Sequence, residues 1–357
     1  MSAEVQSYLI VVSISSLMSG AIYWLARQRN QIGLDIDLGP QKIHHGAVPR
    51  IGGMAIFVGV FLGIVLFQNV SMSLFGLLAI AAAPVFLAGI VEDFTGSVSA
   101  QLRLAVSLVS GCLFCWITGY RVTSVGIDAL SFLFAVPLIS FLMTSLAIGA
   151  MVNALNIVDG LNGLASTTAV LMIASFGVLS WQFGDFELQI ICFSIVAASV
   201  GFLIWNFPFG KIFLGDGGAY FLGALAAGIA VLLPERNDEI SPFSSMLIII
   251  YPFYELVRST ARRILVKGYK ALEPDNQHLH SQIHRLVSSR ISMARVIQNS
   301  LSSLVVLVLP LFCCFWAVVF SEDRVLLTSG IFVFIFVYEV VIAWVLSMNN
   351  KIHEVGF

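Results

Sequence analysis

Five groups of polar residues interrupt an otherwise apolar sequence, and their types are those used to handle phosphate, divalent cations and protons. The first runs Asp37-Leu38-Gly39-Pro40-Gln41-Lys42-Ile43-His44-His45 and on to Pro49-Arg50-Ile51-Gly52-Gly53. Lys42, His44 and Arg50 suit phosphate, and the glycines let backbone approach a ligand closely. The second is the adjacent pair Glu92-Asp93, fit for a divalent cation or a base. In the third, Asn153, Asn156, Asp159 and Asn162 recur at every third residue. On a helix that spacing stacks them along one face, although Gly160 and Gly163 favour a break. Such a row suits a nucleobase, a ribose or a metal-bound water. The fourth is Ile212-Phe213-Leu214-Gly215-Asp216-Gly217-Gly218, one carboxylate among three glycines at the opening of a helix, the composition of an anion or metal nest. The fifth holds His278, His280 and His284, with Arg258, Arg262, Arg263 and Lys267 upstream. A hard cation prefers oxygen to imidazole, so this group reads as a phosphate-binding patch.

Each group also has an ordinary explanation. The first is then a basic loop, the second a solvated loop start, and Asp216 a helix N-cap. The fifth becomes a basic segment drawn to anionic lipid. What weighs against chance is their position relative to the apolar runs.

Those runs dominate the chain. Of 357 residues, 59% are hydrophobic and 11% charged, against about 45–50% and about 25% in soluble domains. Lipid is therefore the solvent for most of the sequence, and the expected fold is all-α and polytopic. A net charge of −2 argues against a nucleic-acid partner. The five cysteines lie in apolar runs, so neither disulfides nor a functional Cys112/Cys115 pair is expected. The first run has no Lys or Arg before it and reads as a retained span.

Eleven candidate transmembrane helices follow, near 6–26, 51–68, 73–91, 102–119, 132–151, 163–181, 188–206, 217–234, 243–261, 299–319 and 325–347. The runs 51–68 and 217–234 are rich in Gly and Ala, which suits close packing in lipid. With the N-terminus outside, fifteen of the eighteen Lys and Arg fall on the cytoplasmic side, leaving Arg121, Arg236 and Arg324 outside. This orientation puts all five polar groups on the cytoplasmic face. Residues 262–298 form the longest cytoplasmic loop, with room for short amphipathic helices. No linker divides the chain, so residues 1–357 read as one membrane domain.

With these motifs in this order, the chain resembles the polyprenyl-phosphate N-acetylhexosamine-1-phosphate transferase superfamily, glycosyltransferase family 4, over roughly residues 35–290. The stretch from Arg262-Arg263 to Asp275-Asn276-Gln277-His278-Leu279-His280 is similar to the undecaprenyl-phosphate GlcNAc-1-phosphate transferases that initiate O-antigen and other surface glycans. The resemblance implies an enzyme of the bacterial inner membrane whose active site faces the cytoplasm. It would pass a sugar-1-phosphate from a UDP-N-acetylhexosamine to undecaprenyl phosphate and release UMP. The implied cofactor is Mg²⁺, with Mn²⁺ as the alternative, held by Asp216 and Asp93. Asp93, Glu92 and Asp159 are the implied catalytic carboxylates, with Asp93 aligning or deprotonating the lipid phosphate. Asn153, Asn156 and Asn162 would border the nucleotide. Lys42, His44, Arg50, Arg262, Arg263, His278, His280 and His284 would face the phosphates.

Three departures from the family pattern stand out. Glu92 replaces an aspartate, with Gly96 where a lysine sometimes follows. Asn162 replaces a second aspartate, and Ser281 a further histidine. They leave an inactive scaffold relative as one rival. A transporter is the other, although its acids would be expected inside the spans. A homodimer through lipid-facing helices is compatible with the sequence but rests on no particular residue.

Overall fold

A computed structural model describes residues 2–29, 34–35, 48–265 and 277–355. The groups around Lys42 and His44, and Lys267 with the 266–276 stretch, lie outside the described residues. Within them the chain is all-α, with one two-residue antiparallel ladder pairing β1 (Leu34–Asp35) with β2 (Val48–Pro49). Helices satisfy every interior backbone group within one segment, which is what a lipid solvent demands.

In chain order the helices are α1 (Ala3–Arg29), α2 (Gly53–Leu66), α3 (Gln68–Thr95) and α4 (Ala100–Thr118). Then come α5 (Ser131–Phe134), α6 (Pro137–Val158), α7 (Leu164–Gln182), α8 (Phe186–Asn206) and α9 (Gly215–Arg236). The last five are α10 (Pro242–Ile248), α11 (Ile250–Leu265), α12 (Leu279–Arg290), α13 (Arg295–Val319) and α14 (Arg324–Val355). Among the described residues, nine are long and apolar enough to cross a membrane. The chain is a multi-pass membrane protein.

Two of the eleven expected spans take another form. The run 51–68 yields only the 14-residue α2, about 21 Å long against the ~30 Å of a bilayer core. It sits inside the bundle against α1, α8 and α9. The run 243–261 is split at Ile249 into α10 and α11. Pro252 explains the break, because its ring clashes with the carbonyl four residues back, that of Ile248, and it has no N–H to donate. The loop 120–131, long enough for a small hairpin, ends instead in a 3-10 turn at Asp128–Leu130. Residues 262–298 do include an amphipathic helix, α12, packed on α13 and α14.

The centre of the bundle is α9, buried without interruption from Gly215 to Leu233. Around it lie α2, α3, α6 and α7. Phe57 of α2 and Phe86 of α3 stack at 4.3 Å, and Phe221 of α9 lies 5.4 Å from both rings. Leu17, Trp116, Val325 and Phe336 point outward, as lipid-facing side chains do.

At one end of α9 the backbones touch. A Cβ on Gly53 would lie 2.3 Å from Gly218 N, and one on Gly89 would lie 2.5 Å from Gly217 Cα. Gly53→Val should therefore cost at least about 1–3 kcal/mol through overpacking, read as a lowered thermal midpoint of the purified protein. Gly76→Ala, where an added Cβ meets nothing within 4 Å, should leave it unchanged.

Candidate active site

Gly89 and Asp93 are four residues apart and share one face of α3. Because Gly89 lets α3 touch α9, the Asp93 carboxylate arrives one turn later over the N-terminus of α9. It accepts the Asp216 N–H at 2.8 Å and the Gly217 N–H at 3.0 Å. These N–H groups belong to the first turn, where a helix leaves its donors unpaired. Asp93, with 0% of its side chain exposed, is thus a cap contributed by another helix. It reaches the site through the backbone of Asp216.

The approach of Arg50 is also a backbone matter. Phe213 N–H donates to Pro49 O at 2.8 Å, and the N–H groups of Gly52 and Gly53 donate to Phe213 O and Leu214 O. Gly215 turns the chain with φ +75°, and a Cβ there would collide with Arg50 O. These contacts lay Arg50 beside Asp216, with Nη2 3.4 Å from Oδ1 and 3.9 Å from Asp93 Oδ1.

A second guanidinium comes from α4. Gly96 closes α3 in the left-handed region at φ +60° and returns its N–H to Glu92 O. Glu92 Oε2 then accepts Val98 N–H at 2.7 Å, and Ser99 caps α4 through Leu102 N–H. Glu92 therefore shapes the turn that carries Arg103 to Asp216. Gly96, a departure from the family pattern, supplies the left-handed residue this turn requires. Arg103 Nη1 lies 3.3 Å from Asp216 Oδ2, and Tyr220, one turn along α9, donates its hydroxyl to the same oxygen at 3.3 Å.

The asparagine row completes the cluster. Asn153 and Asn156 lie on α6. Asn156 Nδ2 donates to Asp216 Oδ1 at 3.1 Å, and Asn153 bridges to Gly149 O and Ser107 Oγ of α4. Helix α6 ends at Val158 with Asp159 as its C-cap, so the expected break falls before Asn162. Asn162 turns away. Its N–H donates to Asn299 Oδ1 and its side chain to Pro208 O. Beside it, Asn206 accepts Gly163 N–H and donates to Ile212 O, joining the asparagine loop to the one that leads to Asp216.

Asp159 is half-buried and beside this cluster. Burial first, and the Asp216 charge second, push its carboxyl up to about 7, against the pull of Arg50. His280 meets the same loop, since a Cβ on Gly160 would lie 2.4 Å from its Nε2. Burial holds His280 down to about 4, with Glu255 pulling the other way, so near neutral pH it is an uncharged ring. His278 stacks on His280 at 5.6 Å and 3°, and its Nδ1 lies 3.0 Å from Glu255 Oε2. His284 instead faces Ser302 of α13 at 3.2 Å. Arg262 and Arg263 occupy the last turn of α11.

Arg50, Asp93, Asn156 and Asp216 therefore meet directly, with Asp159 and His280 alongside, while Asn162 and His284 support the surrounding loops. Arg103, Tyr220, Asn206 and Asn299 are additions the sequence did not single out. Tyr220 was readable as i+4 from Asp216, and Arg103 as the cation closest to the Glu92-Asp93 pair. Asn206 and Asn299 meet Gly163 and Asn162, which are remote in sequence, and left no such signal.

A family model for glycosyl transferase family 4 matches residues 75–234, the stretch containing Asp93, Asn156, Asp159 and Asp216. Over that stretch the chain is similar to glycosyl transferase family 4 enzymes. A probable undecaprenyl-phosphate N-acetylglucosaminyl 1-phosphate transferase of Bacillus subtilis is 27% identical over 317 residues, covering 87% of this chain and 84% of its own. Undecaprenyl-phosphate alpha-N-acetylglucosaminyl 1-phosphate transferases of Yersinia pestis and Escherichia coli are 29% and 27% identical, covering 75% and 77% of this chain and 74% and 76% of theirs. The resemblance read from the motifs holds over most of the length.

A carboxyl whose pKa rises on folding binds its proton more tightly in the folded state. Its contribution to stability is full below the unfolded value near 4 and is lost as pH climbs through about 7. In metal-free buffer, Asp159→Asn should therefore lose less thermal stability than the parent between about pH 5 and about pH 8. Parallel slopes in a thermal-shift titration would contradict this environment for Asp159.

Proposed function

We propose that this chain transfers an N-acetylhexosamine-1-phosphate from a UDP-sugar to undecaprenyl phosphate, releasing UMP, as the first membrane step of a surface glycan. The observation that carries the reading is the set of groups on Asp216. Two guanidiniums, an amide and a phenol converge on one carboxylate at the end of a bundle of membrane-spanning helices. The activities for which the relatives are named support the reaction class.

Both substrates bring negative charge to the reacting centre. Two unit charges 4 Å apart repel by about 4 kcal/mol at an effective dielectric near 20. Arg50 and Arg103 are partly exposed and each offers a planar fork of donors suited to phosphate oxygens. Without substrate they neutralise Asp216. With the diphosphate bound they turn toward it and leave the carboxylate to a cation.

The oxygen donors fit Mg²⁺ or Mn²⁺, because such ions are commonly held by one or two carboxylates plus substrate phosphates. Among the described residues no group of three or more His, Cys, Asp or Glu is placed to hold a metal ion. Asp216 would hold the ion, with Asp159 and the Asn156 amide as neighbouring oxygens. Bound there, it would offset the charge on the diphosphate and on departing UMP. Asp93 acts here by fixing the Asp216 backbone, and the lipid phosphate, already ionised near neutral pH, needs alignment more than a base. Asn153, Asn156 and Asp159 border the nucleotide, and His278 and His280 the diphosphate.

The membrane supplies the remaining requirement. A polyprenyl chain dissolves in lipid and a UDP-sugar in water, so the reaction belongs where the two meet. The excess of Lys and Arg on one side supports a cytoplasmic edge, and the bacterial relatives support the inner membrane.

The test is UMP release by the purified protein with undecaprenyl phosphate, Mg²⁺ and a panel of UDP-N-acetylhexosamines. Release should require both lipid and cation and fall by about 10²-fold or more in Arg103→Ala. No release with any donor, from protein shown to be folded, would overturn the reading.

A further inference from the structure

One buried carboxylate is not used by this mechanism. Glu255 lies in α11, and its residue is only 1% exposed. A buried ionised carboxylate is costly unless paired and hydrogen-bonded, so its partners are informative. Glu255 Oε2 lies 3.0 Å from His278 Nδ1, and Oε1 accepts Leu279 N–H at 3.2 Å. His278 is the N-cap residue of α12, and Leu279 opens that helix. A single side chain thus pins the start of α12 and one ring of its histidine pair.

The contact is long-range where it matters. In the chain, α11 ends at Leu265 and α12 starts only at Leu279. Glu255 returns the start of α12 to α11. Helix α11 is itself fixed by Arg258, whose Nε donates to Glu339 of α14 at 2.8 Å, with Tyr254 donating to the same oxygen at 2.9 Å.

The carboxylate also decides the chemistry of the ring. A carboxylate only accepts, so His278 Nδ1 must carry the proton, and Nε2 is the atom left for a ligand. The parallel stack carries that order to His280, whose Nε2 meets Gly160 next to Asp159.

We propose that Glu255 is a positioning residue for the transfer: from its buried place in α11 it fixes the tautomer and placement of His278 at the diphosphate. The proposal rests on the reading of His278 as a diphosphate contact. Gln has the shape of Glu but offers one acceptor and one donor to two donors, so Glu255→Gln disturbs the arrangement without emptying the space.

The test is a double-mutant cycle on the full-length protein in lipid nanodiscs, with initial rates of UMP release measured across UDP-sugar concentration. Glu255→Gln should lower kcat/KM by about 10- to 100-fold, the usual effect of removing the partner that orients a functional histidine. Glu255→Asp should recover part of the loss. In a His278→Gln background, Glu255→Gln should change kcat/KM by no more than about twofold, because its route of action is gone. If Glu255→Gln fails to fold, Glu255→Asp in the two backgrounds makes the same comparison. Equal losses with and without His278 would overturn the positioning role alone, as would no loss from the Glu255 variants. A silent His278→Gln would overturn both this proposal and the assignment of His278 to the diphosphate.

Discussion

The N-terminus of a buried helix exposes N–H groups that water cannot reach, and the arrangement at Asp216 grows out of how α9 meets that constraint. Its first donors are satisfied by the carboxylate of Asp93, delivered from α3. The delivery is possible only because glycines at positions 53, 89, 217 and 218 remove the side chains that would hold the three helices apart. Capping and packing are thus one feature. Asp216 inherits from it a fixed backbone, which lets its own side chain face the site instead of serving its helix.

Electrostatics then follows from geometry. Asp93 and Asp216 bring two carboxylates to the same guanidinium, 3.9 and 3.4 Å from Arg50 Nη2, an arrangement that would be unfavourable unpaired. Arg50, brought in by hydrogen bonding along residues 213–214, and Arg103, brought in by the turn that Glu92 and Gly96 shape, answer that charge. Both cations are part-exposed. The same cations that make the ligand-free site tolerable suit a diphosphate when it arrives, so stability without substrate and affinity for it draw on shared side chains.

Much of this was legible in the sequence because lipid leaves so little freedom. Apolar runs gave nine of the eleven expected spans, and the polar groups around Asp93, Asp159 and Asp216 stood out against them. The two exceptions have local causes, a helix too short to cross alone and a break that Pro252 imposes. Residue roles were harder to read than residue importance. Asn162, expected to border the nucleotide, gives its backbone N–H to Asn299 Oδ1 and an amide N–H to Pro208 O. Glu92, expected among the catalytic carboxylates, accepts Val98 N–H through Oε2 at the turn after α3. His284 shares a motif with His278 but faces α13. Asn162 and His284 pair with Asn299, Pro208 and Ser302 from other parts of the chain, and a single sequence does not record such pairings. Glu339 shows the same limit. It lies within an expected span, and only its contact with Arg258 explains a charge there.

The central claim is that Asp216, held by Asp93 and flanked by Arg50 and Arg103, is where a cation and the donor diphosphate meet. Calorimetric titration of the purified protein with a UDP-N-acetylhexosamine, with and without Mg²⁺, tests it most directly. Mg²⁺ should tighten binding in the parent by about tenfold or more, a coupling of about 1.4 kcal/mol, and should have no effect in Asp216→Asn. Binding that is indifferent to Mg²⁺ in the parent, or equally strengthened by it in folded Asp216→Asn, would contradict the account.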